Sequence, residues 1–135
     1  MKLEDLQKEL ETDTLIDGTK LQYEAAHNPN LHAKWLRIYS DAKKELIKLD
    51  AQRKRDTKER LDYYTNRSDD WCQVQYEKSE MKVVIAADDK ILTVESKIAY
   101  YQMVMDFASK ALDIIKARGF AIKNMVELRL LEAGK

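Results

Sequence analysis

From Val84 to Ile115 the sequence reads VIAADDKILTVESKIAYYQMVMDFASKALDII, and within it Val84, Ala87, Ile91, Val94, Ile98, Tyr101, Met105, Ala108, Leu112 and Ile115 alternate steps of three and four. Such steps place side chains on one face of an α-helix, and a long run of them marks a seam against partner helices. A helix over 84–118 would reach about 50 Å at 1.5 Å per residue, more than a small domain's width, so the pattern predicts burial by something besides its own chain. A second apolar row, Tyr100, Val104, Phe107, Ala111 and Ile114, lies beside the first. Wide seams suit assemblies of three or more helices; the alternative is an intramolecular bundle with the long helix predicted for 30–66. Gly119 predicts a break or kink, after which Phe120, Ile122, Met125, Val126, Leu128, Leu130 and Leu131 make a final apolar helix.

Upstream, Leu3, Leu6 and Leu10 predict a short acidic amphipathic helix over about residues 2–12, interrupted by Asp17 and Gly18. Thr19 is positioned to cap a second short helix through Ala26, which should end before Asn28, Pro29 and Asn30 because proline restricts its predecessor. Asn30 then caps a helix to about Asn66, striped by Leu31, Trp35, Ile38, Ala42, Leu46 and Leu49. Ser68, Asp69 and Asp70 signal a turn, and the stretch from Trp71 to Tyr76 has no helical period. The expected organisation is an all-α chain. Residues 1–67 form an N-terminal helical region, 68–78 a connecting loop, and 79–135 a C-terminal helical oligomerisation region.

Three glycines and one proline in 135 residues, with 36% charged and 44% apolar side chains, are a helical composition. No run of 18 apolar residues occurs, and Glu4 and Asp5 stand where a signal peptide needs an uncharged stretch, so a soluble, unexported protein with no membrane partner is expected. With glycines only at 18, 119 and 134, no glycine-rich phosphate loop is possible. His27 and His32 are five apart, not at the three or four that a helical metal pair needs, and no metal is expected. The lone Cys72 excludes an internal disulfide and lacks a basic partner to make it a nucleophile. No cofactor and no catalytic residue is expected. The chain does not read as an enzyme.

Formal charge is zero, 24 bases against 24 acids, but it is unevenly spread. Residues 34–67 hold 11 bases and 6 acids, net +5, whereas 1–33 and 68–106 are each net −4. The basic part is Arg53, Lys54, Arg55, Lys58, Arg60 and Arg67, interleaved with Tyr63 and Tyr64 and followed by Trp71 and Tyr76. Cations along a phosphate backbone, with rings on which unpaired bases stack, are what sequence-independent single-strand binding requires. The same residues also suit a solvated face with arginine stems lying over a core edge, in a helical scaffold that joins proteins without touching DNA.

Several stretches together carry a resemblance. They are Leu3 to Gln7, Thr19 to Ala26, Arg60 to Tyr64, Tyr76 to Lys82, Arg118 to Lys123 and Glu132 to Lys135. In these the chain resembles the UvsY family, the phage recombination mediator proteins, over nearly its whole length. The resemblance implies a mediator that catalyses nothing, binds single-stranded DNA, contacts the phage single-strand-binding protein and loads the RecA-like recombinase UvsX, in the cytoplasm of the infected host. It also implies a closed homo-oligomeric ring held largely through the C-terminal helices, which the heptad row from Val84 asks for independently; Ile98, Tyr101, Met105, Ala108, Leu112 and Ile115 of that row, with Phe120 and Ile122 after it, are expected at the contact. The family's basic Lys-x-Arg-Leu stretch is matched by Lys58, Glu59, Arg60 and Leu61. Glu59 departs from a small neutral residue there and lowers the local potential, which Arg53, Lys54 and Arg55 offset.

Overall fold

The computed structural model describes residues 1–134; Lys135, the last residue of the Glu132 to Lys135 match, lies outside them. The elements are α1 (Leu3–Asp13), α2 (Leu21–Tyr64), α3 (Met81–Ala86) and α4 (Asp89–Glu132), with no strand among the described residues. The chain gathers into two compact units. One comprises Met1–Asp41 with the chain from Val104 onward, the other Ala42–Met103, so both long helices contribute to both units.

α1 forms where the leucine spacing predicts it, burying Leu6 and Leu10. The Trp35 indole donates to Asp13 at 3.0 Å, and Lys34 bridges Asp13 at 2.8 Å and Glu9 at 3.2 Å. In the following turn the Thr19 N–H (2.9 Å) and hydroxyl (2.6 Å) both donate to the Asp17 carboxylate. Thr19 is therefore held in an Asx turn and does not cap a helix.

Pro29 does not end a helix: α2 runs through it, and Asn30 caps nothing. A helical proline costs roughly 3 kcal/mol, partly by freeing the carbonyl four residues back. Here Ala25 and Pro29 both lie on an exposed face of the helix. Contacts on either side hold the helix straight through. Leu21, Leu31 and Trp35 are buried, the Asn28 side-chain amide donates to the Ile115 carbonyl at 3.0 Å, and its oxygen accepts from Arg118 at 2.8 Å. At the far end, Asn66 in the left-handed region (φ 57°) closes a Schellman motif, with Asn66 N–H donating to Tyr63 (3.2 Å) and Arg67 N–H to Asp62 (2.7 Å). The Asn66 side chain then accepts the Cys72 N–H at 2.9 Å, anchoring the irregular 65–80 stretch, where the loop was expected.

The helix expected over 84–118 breaks at Ala87 and Asp88, and Gly119 leaves α4 unbroken. Asp88 caps α4, accepting from Lys90 N–H at 2.9 Å and Ile91 N–H at 3.4 Å. Gly119 serves close approach instead, because a Cβ there would stand 3.0 Å from the Asn28 amide nitrogen.

In the unit containing the termini, the core is Leu6, Leu10, Leu31, Trp35, Val104, Ala108, Ala111, Ile115 and Ile122, with Trp35 edge-on to Phe107 at 5.9 Å. In the other unit Ala42, Leu49, Ile91 and Val94 are buried, together with Cys72. The buried line on α4 starts on the first heptad row at Ile91 and Val94, then takes Val104 and Ala111 from the second row with Ala108 and Ile115 from the first. A straight helix at 3.6 residues per turn drifts off a 3.5 repeat, which is why the two rows share one seam. Within each unit α2 covers part of α4, as where Trp35 meets Phe107 in one and Arg53 reaches Glu95 in the other. Of the residues expected at an oligomer contact, Ala108, Ile115 and Ile122 are buried within the chain, Ile98, Tyr101, Met105 and Leu112 are half-buried, and Phe120 is exposed.

Candidate nucleic-acid interface

The basic segment lies on the second half of α2, with Arg67 in the irregular stretch just after it, within one unit. Helical spacing sorts its cations into two sets. Arg53 and Arg60 lean toward α4: Arg53 reaches Asp50 on its own helix and Glu95 at 3.6 Å, and Arg60 pairs with Asp88 at 2.8 Å. Lys54 and Lys58 point outward, with side chains 74% and 79% exposed, pairing along the helix with Asp50 (3.2 Å) and Asp62 (2.9 Å). Exposed pairs of this kind are worth 0–1 kcal/mol, so a phosphate displaces the acid easily. Arg55 donates only to the Gln52 amide at 3.1 Å, and the exposed Arg67 side chain has no acidic partner among the described residues.

Arg60 belongs to a packed cluster. Its guanidinium lies 4.4 Å from the Tyr63 ring centre and 5.3 Å from that of Tyr64, while the Tyr64 hydroxyl donates to Asp88 at 2.6 Å. Cation–π contact and the shared carboxylate fix both rings at the end of α2. Asp88 is 7% exposed. Burial pushes its carboxyl up, but hydrogen bonds from Tyr64, Arg60 and the Lys90 N–H, with the Arg60 charge, hold it below its ordinary value of 3.8. The same Asp88 bond, followed by burial, raises the Tyr64 phenol, and Arg60 is raised because bonds to Tyr64 and Asp88 outweigh its desolvation.

Glu59 carries less of a penalty than its position implies. Lys90 donates to it at 2.6 Å and approaches the buried Asp56 at 3.6 Å, so the two acids between Arg53 and Arg60 are offset by a base on α4. Neither Asp88 nor Lys90 was among the expected site residues. The sequence does carry a signal for the first, an aspartate pair just before the apolar Ile91, but the unbroken heptad row hid it.

Asp88→Asn keeps a capping side chain but removes the charge facing Arg60, and should cost about 1.5–3 kcal/mol at neutral pH. A carboxyl lowered on folding stabilises above its ordinary value and loses that contribution as pH falls through the lowered one. The melting temperatures of parent and variant should therefore differ at pH 6, begin to approach each other only below about pH 4, and meet once pH has fallen past the lowered value. A gap that stays constant down to pH 2 would show that the ion pair contributes nothing.

Three comparisons with known proteins fit these features. The family model described as the recombination, repair and ssDNA-binding protein UvsY matches residues 9–135. The recombination protein uvsY of Enterobacteria phage T4 is 52% identical over 137 aligned residues, covering 100% of both chains. Two crystal structures of the bacteriophage T4 recombination mediator protein UvsY superpose with TM-scores of 0.89 and 0.87. They are 51% and 50% identical, covering 98% and 95% of this chain and 98% of each crystal chain.

Proposed function

The chain belongs to the UvsY family of recombination, repair and single-stranded-DNA-binding proteins, and from that premise we propose that it is a phage recombination mediator whose strand contact is the outward face of α2. Lys54, Arg55, Lys58 and Arg67 hold phosphates, and Tyr63 offers a ring to an unpaired base. Arg53, Arg60 and Tyr64 act by holding that face in place. The observation that carries this reading is the pair Lys54 and Lys58, one helical turn apart, exposed, and tied only to acids that a phosphate replaces.

As a mediator, the protein gathers strands covered by the phage single-strand-binding protein and hands them to the RecA-like recombinase UvsX in the infected cell. It needs no cofactor and performs no bond chemistry. A closed ring of copies joins through the apolar side chains that α4 leaves exposed, Ile114, Phe120, Val126, Leu128, Leu130 and Leu131.

Titrating a fluorescent single strand at several salt concentrations tests the contact. Each neutralised phosphate adds about 0.7 to the slope of log affinity against log salt, so Lys54→Ala with Lys58→Ala should flatten it by about 1.4. Surface substitutions of this kind move stability by no more than about 0.5 kcal/mol, so the melt should stay put. An unchanged slope would move the strand elsewhere, and negligible affinity of the parent at physiological salt would leave a protein-joining scaffold.

A further inference from the structure

The end of α2 and the irregular stretch after it enclose a cleft of about 640 Å³, lined by Tyr64, Arg67, Gln75, Tyr76, Lys78 and Met81 among others. That volume is in the range of small-molecule sites. Its two rings meet edge to face, centroids 5.9 Å apart; Tyr64 is also flanked by Arg60 and Tyr63, whereas Tyr76 has no other ring or cation contact among the described residues. The Tyr64 hydroxyl is fixed on Asp88 and Asn66 fixes the loop through Cys72, so the walls are set before anything binds. Unlike Arg53, Lys54, Lys58 and Arg60, neither Arg67 nor Lys78 has an acidic partner among the described residues. Uncommitted positive charge thus coincides with an open aromatic face on Tyr76, beside the segment assigned above to the strand.

We propose that this cleft takes one unpaired nucleobase of the bound strand, stacked on Tyr76 beside Tyr64, with Arg67 and Lys78 holding the adjoining phosphates. The inference rests on the reading of α2 as the strand contact and extends it past Tyr64 into the loop. Tyrosine stacks on any base, so the site is indifferent to sequence. The base anchors the strand so that the lysines of α2 meet consecutive phosphates.

Stacking and charge separate in one titration. Tyr76→Ala should weaken binding of a single strand about 5- to 150-fold at every salt concentration without changing the salt slope. Tyr76→Phe, which keeps the ring, should bind like the parent. Lys78→Ala should instead flatten the slope by about 0.7. An abasic strand of the same length supplies the control against a misfolded loop: parent and Tyr76→Ala should bind it equally. If Tyr76→Ala binds the normal strand as the parent does while Lys54→Ala with Lys58→Ala still weakens it, the cleft is empty of base and the α2 contact stands. Equal loss on normal and abasic strands would likewise overturn the base pocket, and a parent with no salt-dependent affinity would remove the α2 reading as well.

Discussion

Glu24→Ala should destabilise the protein by about 3–5 kcal/mol, the cost of leaving a buried charge without its counter-ion. Arg118 is 5% exposed and Glu24 7%. The guanidinium donates to Glu24 at 2.7 Å, the Leu15 carbonyl at 2.8 Å and Asn28 at 2.8 Å, while its Nε has no partner among the described residues. The same Glu24 oxygen accepts the Asp17 N–H at 3.1 Å. One carboxylate therefore ties the α1–α2 turn and α2 to α4, and an arginine already short of one acceptor has nothing to fall back on. At fixed protein concentration the loss corresponds to a fall in melting temperature of roughly 10–20 °C. Glu24→Gln keeps an acceptor and should fall between. Replacing both partners, Glu24→Ala with Arg118→Met, should cost less than the sum of the singles. A melt for Glu24→Ala within about 2 °C of the parent would mean that water reaches Arg118 and the pair is ordinary surface chemistry.

That cluster also marks where reading the chain from its sequence stops. The leucines of α1, the stripe from Leu31 to Leu49 and the loop after Ser68 were legible because each depends on neighbours three or four residues away. Pro29 and Gly119 were read by local preference, as a stop and a break, and both stand inside helices. The two misreadings have one cause. Asn28, next to the proline, is bonded to the Ile115 carbonyl and Arg118, and Gly119 lets that amide approach, so a contact across nearly ninety residues overrides both local signals. On the basic face both the residue types and their division are legible, since heptad spacing puts Arg53 and Arg60 on the face of the Leu31–Leu49 stripe and Lys54 and Lys58 beside it. What spacing along α2 does not supply is the acids that receive the arginines, Glu95 and Asp88, which come from a distant part of the chain. Arg118 itself sits on the heptad-spaced seam, where a sequence rule expects an apolar side chain.

Breaking the proposed ring should lower affinity for a long single strand by about 10² to 10⁴ and leave affinity for a short one unchanged, because the gain from joined copies is effective concentration and adds no contact. A single basic segment binding without sequence preference gives dissociation constants of roughly 10⁻⁴ to 10⁻⁶ M, too weak to hold DNA that another protein already covers. Several segments on one assembly engage in turn along a strand long enough to reach them. The substitutions have to spare the fold of each copy. Leu112 is half-buried within its own chain, so Leu112→Asp would mix loss of assembly with loss of stability. Ile114 and Phe120 are 42% and 69% exposed on α4, and Ile114→Asp with Phe120→Asp places two carboxylates in the proposed contact and leaves the internal seam alone. Light scattering should give a smaller particle with an unchanged helical spectrum. A strand short enough for one segment should then bind variant and parent alike, with the same salt slope, while a strand many times longer should separate them by the full factor. The separation also gives mediation a physical route, since a strand led from copy to copy around a ring is bent off the path that a bound single-strand-binding protein imposes and is left open to a recombinase. Equal affinity of the small particle and the ring for long strands would remove that route while leaving the strand contact on α2 untouched.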